Sequence, residues 1–281
     1  MQRFISVDDI SQDTLNNVQV VLVSMSNPVS GEKDTASDGY IPGAVKIDLD
    51  AEGSDHCGDL PHTLLSAQAM ATLLGGLGIS ASTTLLLYDN YGLFCAPRLW
   101  WMLKALGHQR VCVLNGGMPA WKAKGLPVSQ SLKSLESIEP VQYLAQPQAD
   151  WFCNSDGVVN ALDNPDVTIL DARSRPRFNG EVAEPRAGLR SGHMPGAVNV
   201  PFTELLTANK SLASSDTLKS YFSNANIRLE QRLLCSCGSG VTACIVGMAA
   251  LECGAQQVTV YDGSWAEWGA GNTFPVVTKH G

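Results

Sequence analysis

The sequence predicts two tandem α/β domains, each a mainly parallel sheet with helices on both faces. Three observations predict it: the chain repeats itself once, short apolar runs alternate with longer mixed segments, and the composition suits two buried cores.

The repeat is read in two blocks. GYIPGAVKIDLD, from Gly39 to Asp50, matches GHMPGAVNVPF, from Gly192 to Phe202, at an offset of 153. The stretch from Leu85 to Trp121 matches that from Arg232 to Trp268 at an offset of 147, setting Trp121 on Trp268 and Gly107 on Gly254. Such self-similarity marks a duplicated structural unit. Residues 131–150 are polar and carry Pro140 and Pro147, as a linker does. The expected domains are therefore residues 1–130 and 151–281.

The elements follow in chain order. Val20 to Val23, Leu85 to Tyr88 and Val111 to Leu114 are short apolar runs in the first unit. Val167 to Leu170, Arg232 to Cys235 and Val258 to Tyr261 are their counterparts in the second. Runs of this length without polar alternation are strands covered on both faces. Ala67 to Leu77, Ala96 to Leu106 and Val241 to Glu252 are longer and mixed, and read as helices. Strands alternating with helices give a parallel sheet, whose sites lie at the carboxyl ends of its strands.

Of the 281 residues, 44% are hydrophobic and 16% charged, which is enough apolar material for two cores. The net charge of −8 argues against general binding to nucleic acid or anionic membranes. MQRFISVDDISQD has no apolar signal core and is too acidic for a transit peptide, and no membrane-spanning apolar run follows. The expected compartment is the cytoplasm, where cysteines stay reduced. The eight cysteines contain no CxxC pair, which argues against a zinc site. Neither a metal nor an organic cofactor is expected.

One segment carries the chemistry. The strand ending at Leu234 or Cys235 runs into Ser236-Cys237-Gly238-Ser239-Gly240-Val241-Thr242, and an apolar helix follows at once. The two glycines let the backbone curl until successive N–H groups point inward. With the positive end of the helix they make an anion-binding nest. A cysteine at its start is held towards the thiolate, the nucleophilic form. Cys57, Cys112, Cys153, Cys244 and Cys253 read instead as buried structural cysteines.

The loop Cys237 to Thr242, CGSGVT, resembles the active-site loop of 3-mercaptopyruvate sulfurtransferases, a family of tandem rhodanese-like enzymes. The likeness extends over nearly the whole chain, through both PGA segments, Ala96 to Trp101 (APRLWW), GGMPAW and GSWAEW. It implies that only the carboxyl-terminal domain is catalytic, with Cys237 as the nucleophile and Gly238, Gly240, Val241 and Thr242 lining the anion site. Asn90 falls opposite Cys237 in the repeat, so the first domain lacks the nucleophile. Arg177-Phe178-Asn179-Gly180 and Glu184-Pro185-Arg186 are similar to the family's RFxG…EPR segment, which implies that Arg177 and Arg186 hold the donor's carboxylate and ketone. A guanidinium fork suits a carboxylate and keeps its charge. The resemblance also maps a serine–histidine–aspartate relay onto Ser239, His62 and Asp50. Arg173, Arg175 and Arg190 read as surface or structural, and His193 as part of a turn.

These readings imply a sulfurtransferase with a small-molecule sulfur donor and a thiol or cyanide acceptor, the thiol being a small molecule or a thioredoxin-like protein. Loop residues Gly238 and Ser239 carry no cation, which favours mercaptopyruvate over the dianion thiosulfate. A thiosulfate sulfurtransferase with the same nucleophile stays open, as does a non-catalytic binding module. A Cys-x5-Arg phosphatase does not fit, because the sixth residue after Cys237 is Ala243.

Overall fold

The computed structural model describes residues 2–25 and 39–279. The chain divides into two compact units. The first comprises Met1–Asp55, Leu64–Ala149 and Ala208–Leu212, and the second His56–Thr63, Asp150–Thr207 and Ala213–Gly281.

The first unit contains β1 (Phe4–Ile5), α1 (Gln12–Asn16), β2 (Gln19–Ser24), β3 (Val45–Asp48), α2 (Ala67–Gly76), β4 (Leu85–Tyr88), α3 (Ala96–Ala105), β5 (Val111–Leu114) and α4 (Gly117–Ala123). Its sheet runs β1-β5-β4-β2-β3, and every pairing is parallel. All four residues of β4 and of β5 are buried, which is why they appear as unbroken apolar runs. Leu22, Leu86, Tyr88, Leu114 and Trp121 pack in one cluster on this sheet. After the last helix, Val141 N–H donates to Gly75 O and Gln146 N–H to Leu106 O, so this extended stretch is tied to α2 and to the end of α3.

The second unit contains β6 (Phe152–Cys153), α5 (Ser155–Leu162), β7 (Val167–Asp171), α6 (Arg175–Asn179), β8 (Val198–Asn199), α7 (Ser215–Asn224), β9 (Arg232–Ser236), α8 (Ala243–Glu252), β10 (Val258–Tyr261) and α9 (Ser264–Trp268). Its sheet runs β6-β10-β9-β7-β8, again parallel throughout and in the same relative order as the first. Helix α8 is buried from Ala243 to Leu251, so it needs no polar face and shows none. Ile169, Leu234, Tyr261, Trp265 and Trp268 form a core cluster.

The duplicated motifs make duplicated structure. In each PGAV segment the N–H of the alanine closes a turn, Ala44 to Ile41 O and Ala197 to Met194 O, with glycine at φ 77° and 72°. Proline then glycine at the two central positions is the signature of a type II turn. Each turn delivers the chain to an edge strand, β3 or β8. Gly107 and Gly254 end α3 and α8 in the left-handed region, and the next N–H reaches back, His108 to Leu103 O and Ala255 to Ala250 O. This is the Schellman arrangement that only glycine enters without strain. The indole N–H of Trp121 donates to Pro127 O and that of Trp268 to Pro275 O, both at 2.8 Å.

The structure adds elements that the sequence reading did not name, among them β3, α1, α4 to α7 and α9, and it moves boundaries at the loop after β9. Strand β9 continues through Ser236, because Ser236 pairs with Asp171 and its carbonyl accepts Ala172 N–H. Helix α8 begins at Ala243, two residues later than periodicity suggested, because Val241 and Thr242 belong to the loop. Strands β1, β6 and β8 span two residues each, too short for any apolar pattern.

Candidate functional site

The loop after β9 lies at the carboxyl end of the second sheet, between its central strand and the buried helix α8. Its backbone is fixed from the side by α9. Trp265 N–H donates to Cys237 O and Ala266 N–H to Gly238 O, both at 2.9 Å. Ser264 completes the clamp: its hydroxyl accepts Cys237 N–H at 3.1 Å and donates to Tyr261 O at 2.9 Å. Ser264 is fully buried at φ 49°, a left-handed conformation that costs a non-glycine residue of order 1 kcal/mol or more. Its counterpart in the first unit is Gly117, at φ 50°.

The clamp takes the N–H of Cys237 and leaves others open. Among the described residues, no protein acceptor takes the N–H of Gly238, Ser239, Val241 or Thr242. Gly240 supplies the curl at φ 75°. Cys237 is 2% exposed. The unused donors beside it suit a second, charged sulfur carried on the first.

Other thiols lack such surroundings. Burial pushes the Cys112 thiol up to about 11 and that of Cys153 up to about 12. Burial, reinforced by the neighbouring cysteines, raises that of Cys235 further. Cys244 donates to Gly240 O, bracing the loop from within α8. Cys57 departs from the expectation of a buried cysteine: it is exposed, because it sits in a polar bend among Asp55, His56, Gly58 and Asp59.

Two arginines stand over the loop. A Cβ built on Gly238 would lie 3.2 Å from Arg177 Nη2 and 3.9 Å from Arg186 Nη1, so the missing side chain leaves the space these guanidiniums use. Arg177 projects from α6, whose left-handed end at Gly180 closes the five-residue helix. Glu184 grips one edge of it, with Nε at 3.1 Å and Nη2 at 2.6 Å. Arg173 lies behind Glu184, donating to Glu184 Oε1 at 3.0 Å, to both oxygens of Asp171 and to Gly192 O, with its guanidinium 3.9 Å from the Trp265 ring centre. Burial works against the Arg173 charge, and Asp171 and Glu184 outweigh it, leaving its proton held more tightly than usual. Arg173 is thus structural, as expected. Arg175 is exposed and paired with Glu204, and Arg190 donates to Gly269 O and Trp268 O. His193 stacks on Phe178 at 3.7 Å and bonds Phe178 O, within its turn.

His62 belongs to the second unit through the segment His56–Thr63. Its Nδ1 lies 3.0 Å from Ser239 Oγ, and both residues are buried. His62 holds φ 59°, so the backbone is turned into the left-handed region at this residue. Asp50 belongs to the first unit, half-buried, with its N–H on Asp48 Oδ1. Sequence reading overlooked Ser264 and the role of Glu184. The repeat did hold a signal for Ser264, since glycine stands at that place in the first unit.

Comparison with known proteins agrees with this architecture. The rhodanese-like domain family matches residues 13–124 and 155–270. The chain is 41% identical to the 3-mercaptopyruvate sulfurtransferase of Rattus norvegicus, over 82% of this chain and 76% of that protein. It is 37% identical to the 3-mercaptopyruvate sulfurtransferase of Escherichia coli K12, over 92% of each. The crystal structure of SseA from Escherichia coli superposes with a TM-score of 0.80 at 33% identity, covering 94% of this chain and 99% of that one. The chain belongs to the tandem rhodanese family, among the relatives that include the 3-mercaptopyruvate sulfurtransferases.

Proposed function

We propose that this chain takes sulfane sulfur from 3-mercaptopyruvate onto Cys237 and passes it to a thiol or cyanide. The observation that carries the reading is the pairing of one cysteine in a loop of unused N–H donors with two guanidiniums at Gly238. Arg177 and Arg186 hold the donor's carboxylate and ketone. The Cys237 thiolate attacks the donor sulfur, an S–S bond forms, and the C–S bond breaks with its electron pair going to carbon. The enolate takes a proton and leaves as pyruvate, and Cys237 carries a persulfide. An acceptor thiolate then attacks the outer sulfur and Cys237 leaves as thiolate, a ping-pong sequence.

Gly238, Ser239, Gly240, Val241 and Thr242 supply the backbone around the outer sulfur. Ser239 and His62 move the proton, and the family resemblance assigns Asp50 as the relay's carboxylate. The catalytic domain is residues 151–281, joined by 131–150 to the non-catalytic domain of residues 1–130, from whose stretch of chain the segment His56–Thr63 is contributed to the catalytic unit. The acceptor is a small thiol or a thioredoxin-like protein. Among the described residues, no helix is long and apolar enough to cross a membrane.

Incubation with 3-mercaptopyruvate, followed by mass spectrometry, tests the reading. Wild-type protein gains one sulfur on Cys237 and releases pyruvate, while Cys237→Ser does neither and keeps its fold. Pyruvate release by Cys237→Ser sinks the proposal.

A further inference from the structure

The cation over the loop is not a bare charge. Arg177 shares its Nε–Nη2 edge with Glu184, whose side chain is 1% exposed, while Arg177 itself is 18% exposed. The opposite edge of the guanidinium, Nη1 with the second Nη2 proton, is the part that faces Gly238. A carboxylate buried this deeply is costly unless fully paired. Arg173 provides the pairing: it is also 1% exposed and donates Nη1 to Glu184 Oε1, while Asp171 takes its other edge. Asp171, Arg173, Glu184 and Arg177 therefore form an alternating chain with two negative and two positive members. Glu184 is its last carboxylate before the donor.

Resting on the mercaptopyruvate reading above, we propose that Glu184 is a specificity-determining residue that lowers the positive field at Cys237, so that a monoanionic donor is accepted and a dianionic one disfavoured. The physical reason is charge multiplicity. A carboxylate touching Arg177 subtracts from the potential felt at Gly238, and an anion of charge two loses twice what an anion of charge one loses. Mercaptopyruvate is recognised in addition by fork geometry at its carboxylate, which Glu184 improves by fixing the plane of Arg177. Thiosulfate has no planar carboxylate and gains nothing from that alignment.

The test is the ratio of kcat/KM for thiosulfate to kcat/KM for 3-mercaptopyruvate. In Glu184→Gln the ratio should rise about tenfold, the scale of one unit charge a few ångströms away in a partly screened site. Glu184→Ala sets no amide against either guanidinium and serves as the second charge-removing variant if Glu184→Gln does not fold. Glu184→Asp keeps the charge and loosens only the alignment of Arg177, so kcat/KM for 3-mercaptopyruvate should fall while that for thiosulfate stays near wild type, whereas Glu184→Gln should raise the thiosulfate value itself. Charge-removing variants that lower both donors by one common factor overturn the proposal, leaving Glu184 a purely structural anchor. Wild-type protein that releases no pyruvate from 3-mercaptopyruvate sinks the parent reading instead, so the two failures are told apart.

Discussion

The carboxylate of Asp89 accepts the backbone N–H of Ala96 at 2.9 Å, from inside the loop that opens α3. The same oxygen takes Phe94 and Cys95 N–H at 2.9 Å, and the other takes Tyr91 N–H at 3.0 Å. In the repeat, Asp89 aligns with Ser236, and Tyr91, Phe94 and Cys95 with Gly238, Val241 and Thr242. The first unit thus fills its nest with a carboxylate of its own. The second has no carboxylate there and leaves the corresponding donors unused among the described residues.

Replacing that internal anion should be costly. In Asp89→Asn one amide oxygen can still meet three N–H groups, but the amide NH2 then faces Tyr91 N–H. One buried unsatisfied donor pair costs about 2 kcal/mol. Urea denaturation should show that loss, while the folded variant still forms the persulfide on Cys237. An unchanged midpoint would mean that the cradle does not depend on the charge.

Ser264 separates strain from hydrogen bonding. Ser264→Ala keeps the left-handed backbone and orphans Cys237 N–H, so it should lose about 2 kcal/mol. Ser264→Gly orphans the same N–H but relieves the strain, and should be the more stable of the two variants by about 1 kcal/mol. Both should transfer sulfur more slowly than wild type. Equal denaturation midpoints for the two would show that the backbone at Ser264 carries no strain.

Ser239 faces His62 at 3.0 Å. Removing the hydroxyl in Ser239→Ala should lower kcat for pyruvate release by about 10²-fold, the usual contribution of a placed proton-transfer group, with a smaller change in KM. Steady-state kinetics with 3-mercaptopyruvate check this. A kcat equal to wild type would remove Ser239 and His62 from the chemistry.

His108 sets a pH limit on the first unit. Its Nδ1 meets Tyr143 Oη at 2.9 Å and its Nε2 meets Thr83 O at 3.0 Å. Burial lowers its proton affinity below the ordinary 6.5, more than the backbone bonds raise it. The unfolded chain therefore binds a proton that the folded chain resists. Stability from this residue is fully present above the unfolded value and falls as pH drops below it. Thermal unfolding followed from neutral to mildly acid pH should show a decline that His108→Gln flattens. An equal slope in both proteins would contradict the assignment.

Much of the fold was written locally. The central strands are buried on both faces and so appear as apolar runs, and the PGAV turns and helix-ending glycines act within a few residues. Edge strands β1, β6 and β8 left no trace because two residues cannot show a period. Val241 and Thr242 looked helical because they are apolar or small, yet the curl at Gly240 keeps them in the loop.

By itself, the sequence determined the duplication, the parallel α/β plan and the cysteine in a glycine-rich turn before a helix. Each depends on neighbours in the chain: periodicity, turn chemistry and strand–loop–helix order. Tertiary structure alone decided which donors the loop keeps open, since Ser264 takes one of them from 27 residues away. It also decided that His62 meets Ser239 across 177 residues, and that Arg177 shares its charge with a carboxylate held by buried Arg173. Those contacts follow from packing and burial, which oblige polar groups to find partners wherever the folded chain brings them.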